Sequence, residues 1–466
     1  MNILQRWASR FFFGSYSPYE NANISPRRRN VSGASPQDAS LDLTSGVRNE
    51  LVRRSRYLVK NTGFLREIVS SMALYSVGDG IRAQAQSLDS NWNRDAEAYF
   101  TRWARQAELT GRFNLAQCQH LASKALDVDG EIFVLKTEVN GQPKIQLIEA
   151  HRIGDCGDNE DTIDGIKLAP QGIPISYRLL LDDGSYRDLP AYSVLHVFEP
   201  DAPSQQRGFP SLQHSINHLI DEMELLALEK HAVKANADIA RVLTSSNPEV
   251  DDSDFSIGST PQNESSDVGY IQKILGGKVV RVAQGESITP YESNRPSPTF
   301  TGFLEHLRRD SAQGLIPYEF ASDSSKVGGA GVRLIVAKAD RKFSHRQSIL
   351  IERLLRPIWL YVIGHAIASG KLEAVENWTE VNFVTPRRVT VDAGREAQQN
   401  REDIKHGLKT LTDHYAELGM DITEEVENRA REMATIRDTA ARYNIHPKDL
   451  FLTIATKKNN EATPTK

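Results

Sequence analysis

Apolar residues at intervals of three and four predict helices over much of the first 130 residues. The first predicted helix begins near Ser45 and ends at Val77, before a Gly-rich turn. A second spans about Asn91 to Ala107, and a third runs from Phe113 to Asp129. Much of the first 130 residues is therefore predicted to form a layer of helices.

Alternation of apolar and polar residues replaces the helical period after residue 130. Glu131–Lys136 and Lys144–Glu149 flank Asn140-Gly141, a sequence typical of a tight β-hairpin. Tyr177–Leu181 begins a second predicted hairpin, and Val194–Phe198 reads as a further strand. We therefore expect an α+β chain that is predominantly helical.

The longest helical pattern runs from Phe209 to Leu243 and would extend about 50 Å at ~1.5 Å per residue. A helix of this length usually spans a particle or lines a shared interface. We expect its apolar stripe to pack against another helix or subunit, because a stripe of that length does not remain in water. The residues of the stripe are Leu212, Ile216, Leu219 and Met223.

An acidic segment follows, from Val242 to Gln272, and it contains no Lys or Arg. Ser, Asn and Pro separate its acids, so the segment is predicted to be an exposed loop. A short strand pair is expected around Lys278–Val282. The acids that we take as candidates for docking a partner are Asp251, Asp252, Asp254 and Glu264.

Helical patterns return in the last third of the chain. Thr301–Leu315 and Val332–Arg356 are predicted helices, separated by a break at Asp323–Gly331. Pro357 is expected to kink or end the second of them. Arg395–Tyr443 is predicted to form charged helices.

Composition and motifs exclude several classes of function. The chain has 466 residues and a formal net charge of −5, so it is no basic nucleic-acid binder of the histone kind. It has no phosphate-binding G-x-x-x-x-G-K-[ST] loop and no apolar stretch long enough for a membrane span. His214, His218 and Glu222 have the spacing of metal ligands on a helix, but polar positions on a long helix explain them as well. We predict neither a catalytic centre nor a cofactor.

Several short motifs follow one another in a particular order: Arg53–Thr62, Val77–Ile81, Thr110–Arg112, Asp129–Glu131, Gln206–Pro210, Gln284–Glu286, Ile316–Glu319, Trp378 and Val391–Ala397. Their order and spacing resemble the lambda-type family of tailed-bacteriophage portal proteins, over roughly residues 45 to 430. The sequence departs from the family at 328–331, where Gly-Gly-Ala-Gly stands in place of the common Asn-Tyr-Ser-Ser.

The resemblance implies a ring of usually twelve subunits at one capsid vertex, with no catalytic activity. Double-stranded DNA would pass through the ring, without sequence-specific contacts, during packaging and ejection. The implied partners are terminase, the major capsid protein and head-completion or connector proteins, with no membrane. The implied location is the virion, preceded by the host cytoplasm during assembly. Two alternatives remain open here: a phage nucleic-acid-processing metalloenzyme with a site near His214 and His218, and a monomeric structural adaptor.

The resemblance also implies a subunit with a wing, long stem helices, a small α/β clip and a helical crown. The corresponding division is a flexible basic arm (1–44), an α+β wing (45–208), stem helices and clip (209–315, with the acidic clip loop at about 242–272), a tunnel-loop candidate with a long helix returning to the wing (316–394), a crown (395–455) and a disordered tail (456–466). In relatives a mobile loop faces DNA near the break at 322–331, although an ordinary turn at a subunit contact is the other interpretation. The candidates for the DNA channel are Lys326, Gly328, Gly329, Gly331 and Arg333.

Overall fold

The structure is a computed structural model, and it describes residues 38–154, 162–244, 272–274, 277–282, 298–325, 327–391, 393–418, 420 and 422–447. The fold is α+β and mainly helical, and more than half of the described residues lie in helices. Among the described helices, none combines the length and the apolar character needed to cross a membrane.

The helices lie along the whole described chain. In order they are α1 (Ala39–Asp42), α2 (Ser45–Asn61), α3 (Gly63–Val77), α4 (Ser90–Ala104), α5 (Leu115–Val128), α6 (Ile216–Asp238), α7 (Pro298–Ala312), α8 (Tyr318–Ala321), α9 (Gly329–Leu350), α10 (Arg356–Ala368), α11 (Ala393–Lys405), α12 (Leu411–Glu417) and α13 (Ile422–Arg442).

The strands form four small sheets. In chain order they are β1 (Arg82–Ala85), β2 (Glu131–Val139), β3 (Gln142–Glu149), β4 (Thr162–Ile163), β5 (Ile166–Leu168), β6 (Pro174–Leu180), β7 (Tyr186–Pro190), β8 (Val194–Phe198), β9 (Ile239–Thr244), β10 (Gln272–Ile274), β11 (Gly277–Val282) and β12 (Val381–Val384). The sheet orders are β1-β12, β3-β2-β8, β4-β5-β6-β7 and β10-β11-β9. All described pairings are antiparallel except that of β9 with β11.

Both predicted hairpins are present. Strands β2 and β3 pair from Ile132↔Glu149 to Val139↔Gln142. Asn140 and Gly141 join them with φ of 51° and 69°, as a two-residue turn with positive φ at both positions requires. Strands β6 and β7 form the second hairpin.

Three hydrophobic cores hold these elements together. The first packs α4, α5 and α10 around the aromatic rings of Trp92, Trp103 and Trp359. The second, which we call the helical core, joins α2, α3, α6 and α9. The third lies under the β4–β7 sheet and includes Phe133 and Tyr177. The helical core combines residues from the first half of the chain with residues beyond 212, so these parts fold as one packed body.

The single helix predicted from Ser45 to Val77 is wrong, because α2 ends at Asn61 and α3 begins at Gly63. Thr62 lies between them with an extended backbone (φ −119°, ψ 115°). Its N–H and its hydroxyl both donate to the carbonyl of Leu58, at 2.8 and 2.6 Å. These bonds satisfy a carbonyl group at the helix end, which stabilises the break.

The helix predicted from Phe209 to Leu243 is also too long. Residues 213–215 form a 3-10 turn, α6 starts at Ile216 and the chain becomes strand β9 at Ile239. Pro210 before the turn and the β-branched residues after Asp238 explain the limits locally. Pairing of β9 with β11, which is remote in sequence, completes the change from helix to strand.

Pro357 does not end the helix that precedes it. A π-helical turn, Ile351–Leu355, follows α9 and leads directly into α10. The N–H of Arg356 bonds to the carbonyl of Ile351, five residues back. Pro357 then occupies the first turn of α10, where a missing N–H costs nothing. The wider π-helical turn therefore allows the helix to continue past a proline.

Candidate functional site

A cluster of five buried ionisable side chains lies where α2, β2, β8 and the chain before α6 meet. We call it the buried charge cluster. Its members are Arg48, Glu131, Asp164, His196 and Arg207, and the described side chains of all five are at most 7% exposed. Buried charges require partners, and each of these has one within the cluster.

Arg207 is the centre of the cluster. Its Nη2 donates to Glu131 Oε1 at 2.5 Å, and its Nε donates to the same oxygen at 2.9 Å. The guanidinium also donates to the carbonyls of Ala150 and Ile153, at 3.1 and 3.0 Å, and to that of Asp164. One side chain thus ties a strand, a turn and a loop together.

The remaining hydrogen bonds of the cluster are made by His196 and Arg48. His196 Nε2 lies 2.9 Å from Glu131 Oε2, and its ring stacks between those of Phe133 and Phe198, with centroids 4.3 and 4.4 Å away. Arg48 donates from Nη2 to Asp164 Oδ1 at 3.1 Å, and its Nε donates to the other oxygen. The two acids and two arginines leave no net charge with His196 neutral, which limits the cost of burial.

Burial and pairing act in opposite directions on the acids. Burial on its own raises the pKa of Glu131, but Arg207 and His196 outweigh it, and the pKa lies below its ordinary value. The pKa of Asp164 is lowered in the same way, since Arg207 and Arg48 outweigh burial. For His196 burial outweighs the attraction of Glu131, so its pKa is lowered and the neutral ring is favoured.

Two motifs that carry the family resemblance are in contact beside this cluster. Gly208 N–H donates to Glu131 Oε2 at 2.8 Å. A Cβ at Gly130, where φ is +85°, would lie 2.1 Å from the carbonyl carbon of Phe209. A Cβ at Gly208 would lie 2.3 Å from the Gly130 oxygen. Both positions require glycine for this close backbone approach.

A third motif joins them through a salt bridge. Arg56 on α2 donates from Nε and Nη2 to both carboxylate oxygens of Asp129, at 2.7 and 2.6 Å. The Arg53–Thr62, Asp129–Glu131 and Gln206–Pro210 motifs therefore meet at one junction, which fixes the chain leading into α6.

The residues predicted for the stem stripe lie in the helical core of the subunit itself. Leu212, Ile216 and Leu219 are fully buried there, and Met223 is half-buried at its border. They pack with Leu58 and other residues of α2, α3 and α9. Contact of this stripe with a neighbouring subunit stays a prediction.

The metal-site alternative does not match the geometry. His214 lies in the 3-10 turn rather than on α6. His218 Nε2 is 3.4 Å from Asp310 Oδ2, and Glu222 Oε1 accepts from Arg308 at 2.6 Å. These partners on α7 tie the two helices together. Within the described part of the chain, no group of three His, Cys, Asp or Glu side chains has the arrangement of a metal site.

The Gly-rich break is shorter than predicted. Gly328 precedes α9 with φ −69° and ψ 160°, and Gly329 and Gly331 lie inside the first turn of that helix. None of the three has a positive φ, so their backbone conformations are ones that other residues also adopt. Arg333 is exposed on the second turn of α9, whereas Lys326 lies outside the described residues. Helix propagation from Gly328 accounts for the difference, because it fixes φ in the ordinary range.

The acids proposed for docking, Asp251, Asp252, Asp254 and Glu264, lie outside the described residues. The sequence patterns did not identify the buried charge cluster. The one signal for it was Glu131, an acid between Gly130 and the apolar run of β2. A charged residue that begins a buried strand requires a partner, but the sequence does not say which one.

The family model described as "Phage portal protein, lambda family" matches residues 26–347. A relative described as "Probable portal protein", from Halomonas phage phiHAP-1, is 22% identical over 407 residues, which are 79% of this chain and 76% of the relative. Because the family model covers more than half of the sequence, this chain belongs to the lambda family of phage portal proteins.

Two solved structures are similar at 13% identity. One is a chain of the neck of a native GTA particle, computed with C12 symmetry, with a TM-score of 0.47 over 84% of this chain and 96% of that chain. The other is from the neck of an empty GTA particle, computed with C6 symmetry, with a TM-score of 0.46 over 80% of this chain and 93% of that chain.

Proposed function

We propose that this portal protein forms a ring, usually of twelve subunits, at one vertex of the capsid and conducts double-stranded DNA during packaging and ejection. Its role is structural, without catalysis or a cofactor. Membership of the portal family is the observation that carries the proposal. The ring is a component of the virion. It assembles in the host cytoplasm, where it contacts the major capsid protein.

The surface of the α6–α7 pair supports self-association. Leu228 and Val233 on α6 are 62% and 46% exposed, and Phe303 on α7 is 50% exposed. Leu228 is nine residues from Leu219, about 180° around α6, and Leu219 lies in the helical core, so α6 is apolar on more than one side. Apolar residues on a second face of a long helix are typical of contact with another chain.

Net charge supports release of the DNA. Each chain has a formal charge of −5, so twelve chains have −60. Tight binding of a duplex needs many Lys and Arg contacts to its phosphates, and a ring of net negative charge limits them. A conduit of this kind guides DNA and does not retain it.

Mass and shape test the ring. Twelve chains of 52.1 kDa give about 625 kDa, and images of the particles are expected to show an axial hole. Leu228→Asp with Phe303→Asp is expected to give folded subunits that do not assemble. Ile173→Asp is a matched control, because Ile173 is also 62% exposed but lies beside the β4–β7 sheet. A stable monomer in the unmodified protein would refute the ring.

Ile216→Asp is a different kind of variant. Ile216 is buried within the subunit, so the substitution places an unpaired charge in the helical core. We expect it to prevent assembly because the subunit itself is destabilised. Normal rings from this variant would contradict the packing of α6 described above.

The wing, stem, clip and crown divisions follow from the family relationship and are part of the proposal. The predicted acidic loop of about 242–272 is shorter at both ends, because residues 242–244 belong to β9 and Gln272 begins β10. The acidic segment between these strands is proposed to be the clip that docks terminase or a connector. Deletion of Asp251–Glu264 is expected to leave rings intact and to abolish binding of these partners in a pull-down. Loss of folding in the deletion variant would show that the segment belongs to a core.

The start of α9 is proposed to face the DNA channel. Lys326 and Arg333 flank the three glycines and contact phosphates without reading sequence. Lys326→Glu with Arg333→Glu is expected to reduce packaging in a salt-dependent manner while rings still form. Full packaging by this double variant would leave the segment as a structural turn.

A further inference from the structure

The exposed side of α9 is basic over about three turns. Arg333, Lys338, Arg341 and Lys342 are all exposed there. The one acid of this helix, Asp340, is only half-exposed. No side chain within the described ranges forms an ion pair with Lys338 or Arg341. A local excess of positive charge is therefore present in a chain that is negative overall.

Two further arginines extend this basic surface from the segment after β12. Arg387 and Arg388 are exposed and line a small cavity with Asp340 and Ser344 of α9. Arg388 Nε is 3.8 Å from Asp340 Oδ2, which places the arginine beside the helix. That contact offsets one of the positive charges of this surface.

The opposite side of α9 fixes the helix in place. Ala339 and Phe343 are buried in the helical core. Arg346 Nη2 donates to Asp127 Oδ1 at 2.6 Å, and its Nη1 donates to the carbonyl of Ser123 at 2.7 Å, both on α5. The basic side is thus presented on a rigid support, as a binding surface requires.

We propose that this surface binds the phosphate backbone of duplex DNA. We call it the α9 basic face, formed by Arg333, Lys338, Arg341, Arg387 and Arg388. The inference rests on the proposed conduit function and extends it from the start of α9 to the body of the helix. The DNA-guiding contacts would then come mainly from a packed helix and not from a loop.

The spacing suits a phosphate backbone. Arg333 to Arg341 spans about 12 Å of helix at ~1.5 Å per residue, and phosphates follow one another every ~3.4 Å of axis along a strand. Ala337, the neighbour of Lys338, is small and exposed, which leaves the charged end of Lys338 accessible. Contacts of this kind fix position and carry no sequence information, as a conduit requires.

The test is DNA binding as a function of salt. The full-length protein, wild type or Lys338→Glu with Arg341→Glu, is titrated with a short duplex of mixed sequence at several NaCl concentrations. Loss of two phosphate contacts is expected to make the log–log salt slope shallower by about 2 for each subunit that touches the duplex. At 0.1 M salt this corresponds to binding weaker on the order of 50-fold. Arg387→Glu with Arg388→Glu is expected to act in the same direction.

Arg102→Glu with Arg105→Glu is the matched control. These two arginines are exposed at the end of α4, three residues apart like Lys338 and Arg341. The control has the same change in net charge and is expected to keep the wild-type affinity and slope. An equal loss in the control would overturn the inference, because net charge alone would explain the result.

Ring formation is measured on the same samples, so the two proposals fail separately. Rings in which both α9 double variants bind DNA with the wild-type affinity and slope would overturn the basic face and leave the conduit intact. If the α9 double variants bind DNA with normal affinity but do not assemble into capsids, the α9 basic face binds an acidic protein and not DNA. That result would also overturn the inference. Wild-type protein without rings would instead refute the conduit.

Discussion

Substitution of Arg207 is the most direct test of the buried charge cluster. Arg207→Met keeps a long apolar side chain but removes every donor. Glu131 then loses its bonds from Nη2 and Nε, and the carbonyls of Ala150 and Ile153 lose a donor each. Glu131 remains buried, with His196 and the N–H of Gly208 as its nearest hydrogen-bond partners.

The expected loss of unfolding free energy is about 3–5 kcal/mol, the usual cost of leaving one member of a buried ion pair without its partner. That is a large share of the ~5–15 kcal/mol of a typical domain. Glu131→Gln in the same chain removes the stranded charge. The double variant is therefore expected to be more stable than the sum of the single losses predicts, by about 1–3 kcal/mol.

Urea unfolding of dissociated subunits, followed by tryptophan fluorescence and circular dichroism, measures these differences. Arg178→Met is the control, because Arg178 pairs with Asp188 at 3.0 Å on the surface of the β6–β7 hairpin. That pair is expected to contribute less than about 1 kcal/mol. A loss below 1 kcal/mol in Arg207→Met, or strict additivity with Glu131→Gln, would refute the reasoning.

Three further predictions concern single positions. Gly130→Ala is expected to destabilise the subunit strongly or abolish folding, because its Cβ would meet the Phe209 backbone. Gly141→Ala is also at positive φ but in open space, so it is expected to cost only the ~1–2 kcal/mol of left-handed strain. Thermal unfolding compares the two variants. The pKa of His196 is lowered in the folded subunit, so the unfolded chain binds more protons as the pH falls below about 6.5, and the stability of the fold decreases in that range. His196→Gln is expected to flatten the pH dependence of unfolding in the same range. An unchanged pH dependence would contradict this prediction. Gly329→Ala, with ordinary φ and no atom near its Cβ, is expected to raise helix stability by about 0.5–1 kcal/mol, and destabilisation would show that the turn needs glycine.

Elements with local signals at both ends could be predicted from the sequence. The β2–β3 hairpin has alternating residues around Asn140-Gly141, and its turn residues have the positive φ that such a turn demands. Helix α5 is bounded by Asn114, whose side chain accepts from Gln117 N–H in a capping box, and by Gly130. In both cases the information lies within a few residues, so a pattern along the chain is sufficient.

Elements whose limits depend on distant partners could not be predicted. The apolar period continues past Asp238, yet the chain pairs as β9 with β11 about forty residues later. The break at Thr62 depends on a backbone conformation that no periodicity reveals. Tertiary contacts override local preference at both places.

The buried charge cluster shows the same limit for a site. Arg48 and Arg207 are separated by more than 150 residues, and Asp164 by 116 from the first of them. A charged residue with no periodic neighbours reads as surface, and only the fold reveals that these side chains are paired.

The buried charge cluster lies beside the junction of the three motifs that precede α6. This position explains why ionisable groups, which are costly to bury, are found there. The chain passes from Arg207 through the Gly208–Gly130 contact into the turn at Gln213–Ser215 and then into α6. Arg56 and Asp129 fasten α2 to the start of β2 on the same side. Apolar packing alone tolerates sliding, whereas directional bonds to several backbone carbonyls do not. The entry of α6 is therefore fixed relative to α2 and β2, and so is the helical core on which α9 presents its basic face.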